Sequence, residues 1–321
     1  MLKICRFANM KILLSLLLLI VYLPDLYSYN VGSDSLLQNK TFKNEIQIKH
    51  DNDLYLMIMQ DQYYTNGLHI HYRWGNNNIH QIYASHKMYN PFTAQVDSIE
   101  HIDRPFAAEF LVGYKLQKPL KENQFLRYGV EIGLMGEAAG GRLFQENLHS
   151  LLNMYHPDGW QYQLKNSVGV DLNLDYGLSM FSVKNNFEGI ILGSLVAGTH
   201  HINSSASALF RLGLFNSINT SSLFHSRILG DATSQRRELY LYNSTSARWV
   251  GYDVTLQGGR FNSYKGPVVS EPIPLQFSNE IGFVYSNRKI DFSISYIFKT
   301  KEAEKSLFRH QYGSTSLSFR F

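Results

Sequence analysis

Cysteine is nearly missing from this 321-residue sequence. The one thiol is Cys5, inside an N-terminal segment where Lys3, Arg6 and Lys11 precede the apolar run Ile12 to Tyr22, with Pro24 and the small Ser28 just beyond. That layout predicts a secretory signal peptide over 1–28 and a single mature domain over 29–321. The mature chain then carries no thiol, which excludes disulfide scaffolds, thiolate metal centres and cysteine nucleophiles together. Long apolar runs are also lacking. Ile12 to Tyr22 is too short to cross a bilayer as a helix, and no later segment approaches the roughly 20 apolar residues required, so any membrane crossing must be made by strands. Proline is scarce, at 8 residues, and neither sign of charge dominates, with 30 Lys and Arg against 26 Asp and Glu. Loss of Lys3, Arg6, Lys11 and Asp25 with the first segment leaves a net charge of about +2, which predicts no nucleic-acid partner.

What is plentiful is Tyr (21) and Phe (20), set in strict alternation with polar residues. Leu68, Ile70, Tyr72 and Trp74 fall on one face of a strand, and Gly67, His69, His71 and Arg73 on the other. A soluble β-sandwich would also alternate. It would not place Lys49, Arg73, Glu131 and Asp291 on the face that must form its core, whereas a barrel with an apolar exterior and a polar lumen accommodates both faces. The ending STSLSFRF, with Leu317, Phe319 and Phe321 on one face, resembles the C-terminal signal of outer-membrane barrels. Strands are predicted near 45–53, 65–74, 79–88, 107–116, 124–135, 165–181, 187–199, 206–216, 237–259, 275–286, 289–300 and 311–321. The fold class is therefore all-β, an antiparallel twelve-stranded transmembrane barrel in the bacterial outer membrane, read as a monomer.

Parity assigns the connections. With the N-terminus on the periplasmic side, the segments after Asp53, from Tyr89 to Arg104 and from Gly136 to Leu164 meet at the external rim. The last contains the clearest helix, GGRLFQENLHSLL. Phe144, Leu148, Leu151 and Leu152 form an apolar stripe beside the polar stripe Arg142, Gln145 and His149. The apolar stripe is expected to lie on the barrel, and the Gln–His stripe to flank a cleft. Asn52 and Asp53 cannot both line one cleft within a regular ladder, so a bulge or a strand end is expected there.

The segments DNDLY…DQYYTNGL, HIDRPF at 101–106, GLMGEAAGG…QENLH at 133–149 and PDGWQYQL at 157–164 together resemble the outer-membrane lipid A 3′-O-deacylase family. TLQGG at 255–259 adds a weaker match. The resemblance implies a barrel esterase, dependent on Ca2+, whose site lies between the outer barrel wall and an external helix, and whose partner is lipid A or lipopolysaccharide of the outer leaflet. Carried over by motif, it implies His149, Asn52 and Thr65 as catalytic, Asp53 as metal ligand and Gln145 as a substrate-positioning residue. Where the family carries an acidic residue six after the histidine, this chain has Tyr155, and Lys165-Asn166 stands where another acid is expected.

The chemistry of these residue types fits ester hydrolysis. Histidine works as a base near neutral pH, and a hard cation on carboxylate oxygens polarises a carbonyl. Arg104 and Arg142 are candidates for lipid A phosphates, which guanidinium matches in bidentate fashion. Two other readings stand beside this one. The first is an outer-membrane phospholipase, which requires a serine nucleophile beside a histidine, and the sequence offers no Ser–His pair to defend. The second is a barrel that transports or binds without catalysis.

Overall fold

Alternation along the chain becomes twelve strands in a computed structural model that describes residues 42–321 apart from 57–60, 97, 185 and 231–236. The signal-peptide segment and its apolar run lie outside the described residues. The strands are β1 (Asn44–Asn52), β2 (Tyr63–Gly75), β3 (Ile79–Asn90), β4 (Ala107–Lys121), β5 (Gln124–Met135), β6 (Ser167–Val183), β7 (Phe187–Gly198), β8 (His201–Leu214), β9 (Glu238–Asp253), β10 (Leu275–Ser286), β11 (Ile290–Lys299) and β12 (His310–Arg320). Each pairs antiparallel with its sequence neighbours, and β1 pairs with β12 to close the barrel, leaving no edge unpaired. Most predicted boundaries fall within two residues. The largest departure is at β8–β9, where β8 begins at His201 and β9 stops at Asp253 because Val254–Gln257 turns into a short helix, α2, capped by the Asp253 side chain.

Parity separates the two faces. Ile46, Ile48, Ile70, Ile82 and Ile132 point outward and are exposed, while Glu45, Gln47, Asp51 and Arg73 point inward and are buried. Inward charges are paired. Arg73 donates from Nη1 to Glu45 Oε1 at 2.8 Å and from Nη2 to Gln47 Oε1 at 2.9 Å. Arg320 joins Glu45 to Asp291, and Arg211 meets Glu188. Removing one member of such a buried group strands a charge, at a cost of roughly 3–5 kcal/mol.

Short turns after β2, β4, β6 and β10 gather at one end, as expected for the periplasmic side. The connection after β8 is long, and its residues 215–224 fold back into the lumen, where Phe215, Ile218 and Phe224 pack on Phe125, Leu209 and Tyr240. The lumen holds a cavity of about 530 Å³, lined by Lys49, His71, Arg127 and many serines together with Phe125, Leu209 and Val284. At the opposite end the described residues of three connections, 53–56 with 61–62, 91–106 apart from 97, and 136–166, lie over the tops of β1 to β6. The third contains the predicted helix, α1 (Gly141–Leu151).

Candidate active site

The hairpin between β1 and β2 is irregular for reasons visible in its side chains. Asn52 ends the β1 ladder opposite Asn66, and its Oδ1 accepts from Leu54 N at 2.7 Å, which starts a 3-10 turn over Asp53–Leu56. On the return, the β2–β3 register shifts between Tyr64 and Asn66, so Thr65 leaves the ladder. The strand end is the irregularity expected at Asn52–Asp53, and the bulge on β2 adds to it. They bring Asp53 and Thr65 together: Thr65 Oγ1 lies 3.3 Å from Asp53 Oδ2, which also accepts from Gln62 N at 3.0 Å.

Helix α1 closes over the outside of the barrel wall. Gly140, in the left-handed region at φ 74°, lets the chain turn into it, and Gly141 seats it. A Cβ at Gly141 would stand 2.4 Å from Ala108 Cβ and 2.7 Å from the Trp160 ring. This close approach buries Gly141, Gln145 and His149. The apolar stripe meets the wall only in part: Phe144 packs on the cluster of Met88, Ala108 and Trp160, whereas Leu151 is 78 % exposed and Leu152 43 %, with Leu148 half-buried. Polar partners on the hairpin draw the Gln–His stripe inward.

The partner at the centre is Asp61. Its Oδ2 accepts from Gln145 Nε2 at 2.7 Å and Tyr155 Oη at 2.7 Å, and lies 2.9 Å from His149 Nε2; its Oδ1 accepts from Thr65 Oγ1 at 2.9 Å. His149 Nδ1 sits 2.7 Å from the Tyr155 carbonyl oxygen. Gln145 is fixed from behind by Trp160, whose Nε1 donates to Gln145 Oε1 at 2.6 Å, with the indole buried against Phe106. Burial of the His149 ring opposes its charge, but the hydrogen bonds to Asp61 and the Tyr155 carbonyl, with the Asp61 charge, raise its pKa above the ordinary histidine value. Burial would raise Asp61, yet its bonds to His149 and Tyr155 hold it below the usual carboxylate range. Asp53 is 1 % exposed, and burial followed by the negative charge of Asp61 pushes its carboxyl well above that range.

Four of the seven anticipated residues therefore converge: Asp53, Thr65, Gln145 and His149. Asn52 stands beside them but commits Oδ1 to the 3-10 turn. Arg104 is not brought to the cluster. It is 1 % exposed, with its guanidinium 4.2 Å from the centre of the Tyr89 ring and Nη2 donating to Thr255 Oγ1 at 3.0 Å. That buried position, not a reach toward a lipid phosphate, explains Thr255 in the TLQGG turn. Arg142 lies on the exposed flank of α1, bonded to Glu146 at 2.8 Å.

Asp61 was the residue missed. It stands in DQYY, four before Thr65, and the signal for it was the absent acid at Tyr155: the tyrosine hydroxyl now holds a carboxylate brought from the hairpin. The sequence also concealed a Ser–His pair. Ser167 Oγ lies 3.1 Å from His200 Nε2 inside the lumen. His200 Nδ1 is 3.7 Å from Glu109 Oε1, too far for a hydrogen bond. Glu109 instead bonds His201 Nε2 at 2.7 Å and Lys87 Nζ at 3.3 Å.

Comparison with known proteins bears on the family and the fold. The family described as outer membrane protein LpxR matches residues 13–321. The chain belongs to the LpxR family of outer membrane proteins. Among solved structures it is similar to LpxR from Salmonella typhimurium, with a TM-score of 0.72 and 21 % identity over 86 % of this chain and 100 % of that one, a likeness of fold. The β domain of the Bordetella autotransporter BrkA aligns with a TM-score of 0.44 and 9 % identity over 88 % of this chain and 99 % of that one, too weakly to carry an argument. No curated protein matches. Family and barrel together make this LpxR-family chain an outer-membrane protein.

Proposed function

We propose that this chain hydrolyses an acyl ester of lipid A, the 3′-acyloxyacyl ester in the reading its motifs suggest. Membership of the LpxR family supports a lipid A deacylase. The observation that carries the chemistry is the buried His149–Asp61 pair beside Asp53 and Thr65. It lies on the outer side of the wall, where a lipid in the outer leaflet arrives.

Hydrolysis needs a proton to leave water and reach the departing alkoxide. His149 takes a proton from water as the hydroxide oxygen bonds to the ester carbon; when the tetrahedral intermediate collapses, the carbon–oxygen ester bond breaks and His149 returns the proton to the sugar alkoxide. Atoms balance as acid plus alcohol. Both nitrogens of His149 now face acceptors, the arrangement that suits its protonated form. Asp61 stabilises the imidazolium produced when the proton is taken, and one of the two contacts opens for the neutral ring to meet water. Thr65 and Gln145 hold Asp61 in place.

Calcium fits the donor chemistry. Asp53 is a buried carboxylate beside a second negative charge, and no Lys, Arg or His pairs with it among the described residues, so it takes up either a proton or a cation. No group of three His, Cys, Asp or Glu side chains forms a cage among the described residues. Asp53 would hold the ion with backbone carbonyls and substrate oxygens. A bound calcium ion would polarise the ester carbonyl and stabilise its developing negative charge.

Fatty-acid release from purified lipid A, with calcium or with a chelator, tests this reading. Release that requires calcium, and that falls by about 10- to 100-fold in Asp53→Asn with partial recovery at excess calcium, supports it. Release indifferent to both chelator and substitution removes the metal from the account. No release under any condition favours a barrel without catalysis.

A further inference from the structure

Helix α1 carries an apolar flank that is open at Leu151 and has a definite direction. Counting roughly 100° per residue, Gly141, Gln145 and His149 form the stripe facing the wall, Arg142, Glu146 and Ser150 one flank, and Phe144, Leu148 and Leu151 the other. The Phe144 ring packs against His86, with centroids 5.4 Å apart. His86 faces outward on β3, two residues further from the external rim than Met88, which α1 and its neighbours cover. The apolar flank therefore points away from the rim toward the waist of the barrel, and the Arg142–Glu146 ion pair points the other way.

The wall at that point is apolar and exposed. His86 pairs directly with Phe110, and Phe110 with Leu134; both Phe110 and Leu134 are exposed, as is Ile82 further along β3. Leu151, at 78 % exposure, continues this apolar surface outward from the barrel. In water such a face is unfavourable; at a bilayer surface it is the pattern of a helix lying in the interface. We infer that α1 is an interfacial helix that sinks the Phe144–Leu148–Leu151 flank among the acyl chains of the outer leaflet. The site behind it is then loaded sideways from the leaflet. This inference concerns lipid contact and holds or fails whether or not the chain is an esterase.

The test places a single cysteine at position 151 or 150 of the full chain, as Leu151→Cys or Ser150→Cys, with Cys5→Ser to remove the other thiol. Each variant carries an environment-sensitive fluorophore and is reconstituted into phosphatidylethanolamine–phosphatidylglycerol vesicles; heat-modifiable migration checks that the barrel is folded. A doxyl group high on the lipid acyl chain should quench position 151 at least about twofold more than position 150, and aqueous iodide should show the reverse order. Equal quenching of the two positions by either agent, or stronger iodide quenching at 151, would overturn the inference.

Discussion

Of the histidine–carboxylate clusters at the external end of this barrel, one outside the wall and one in the lumen make the sharpest contrast. In the lumen Glu109 is matched by His201 and Lys87, and the nearby Ser167–His200 pair lacks a bonded carboxylate. Outside, His149 is bonded to Asp61 at 2.9 Å, while Asp53 has no cation beside it among the described residues. The lumenal charges are neutralised and built to hold strands together; on the outer face of the wall Asp53 is left to take up a proton or a cation. Residue type alone does not distinguish a site from a structural network. Charge balance and the side of the wall do.

The sharpest break comes at His149. His149→Gln keeps a polar stem but cannot accept a proton at neutral pH, so fatty-acid release should fall by roughly 10²- to 10⁴-fold with the barrel still heat-modifiable. Its loop position limits the stability effect, because no ladder hydrogen bond is lost.

A smaller effect is expected from Asp61→Asn, read through pH. A base works in its neutral form, and His149 has a pKa above the ordinary value because Asp61 favours its charge. The acidic limb of the wild-type rate profile should therefore lie above about pH 6.5. Removing the Asp61 charge lowers the histidine pKa, so the limb should move to lower pH while the plateau rate drops. A limb that stays in place would separate Asp61 from the base.

The lumenal counterpart should behave oppositely. His201→Ala leaves Glu109 one partner short in a buried setting, a loss of about 1–3 kcal/mol in stability. The temperature at which the heat-modified form appears should fall, and fatty-acid release below that temperature should be unchanged.

The fold was legible because period-two alternation is a local signal, and both faces of each strand are set by the solvent they meet. Lys49, Arg73 and Asp291 pointed inward on parity alone, and the ladders place them there. The hairpin irregularity was also legible, since Asn52 and Asp53 cannot share one side of a strand. Asp61 was not. Its role depends on Tyr155, 94 residues away, reaching back to it; the missing acid at 155 signals that a carboxylate comes from elsewhere, but not from which segment. The orientation of α1 was misjudged for a related reason: its apolar stripe was matched to the barrel as though the surroundings were water. Asp61 draws Gln145 and His149 to the wall, which leaves only part of that stripe, Phe144, packed there.

The most direct measurement is the mass spectrum of lipid A from cells expressing the wild-type chain, His149→Gln or Ser167→Ala at matched levels of folded barrel. The account predicts the loss of one acyl group with wild type and with Ser167→Ala, and intact lipid A with His149→Gln. Loss of the acyl group in His149→Gln cells, with intact lipid A in Ser167→Ala cells, would contradict it and move the chemistry into the lumen.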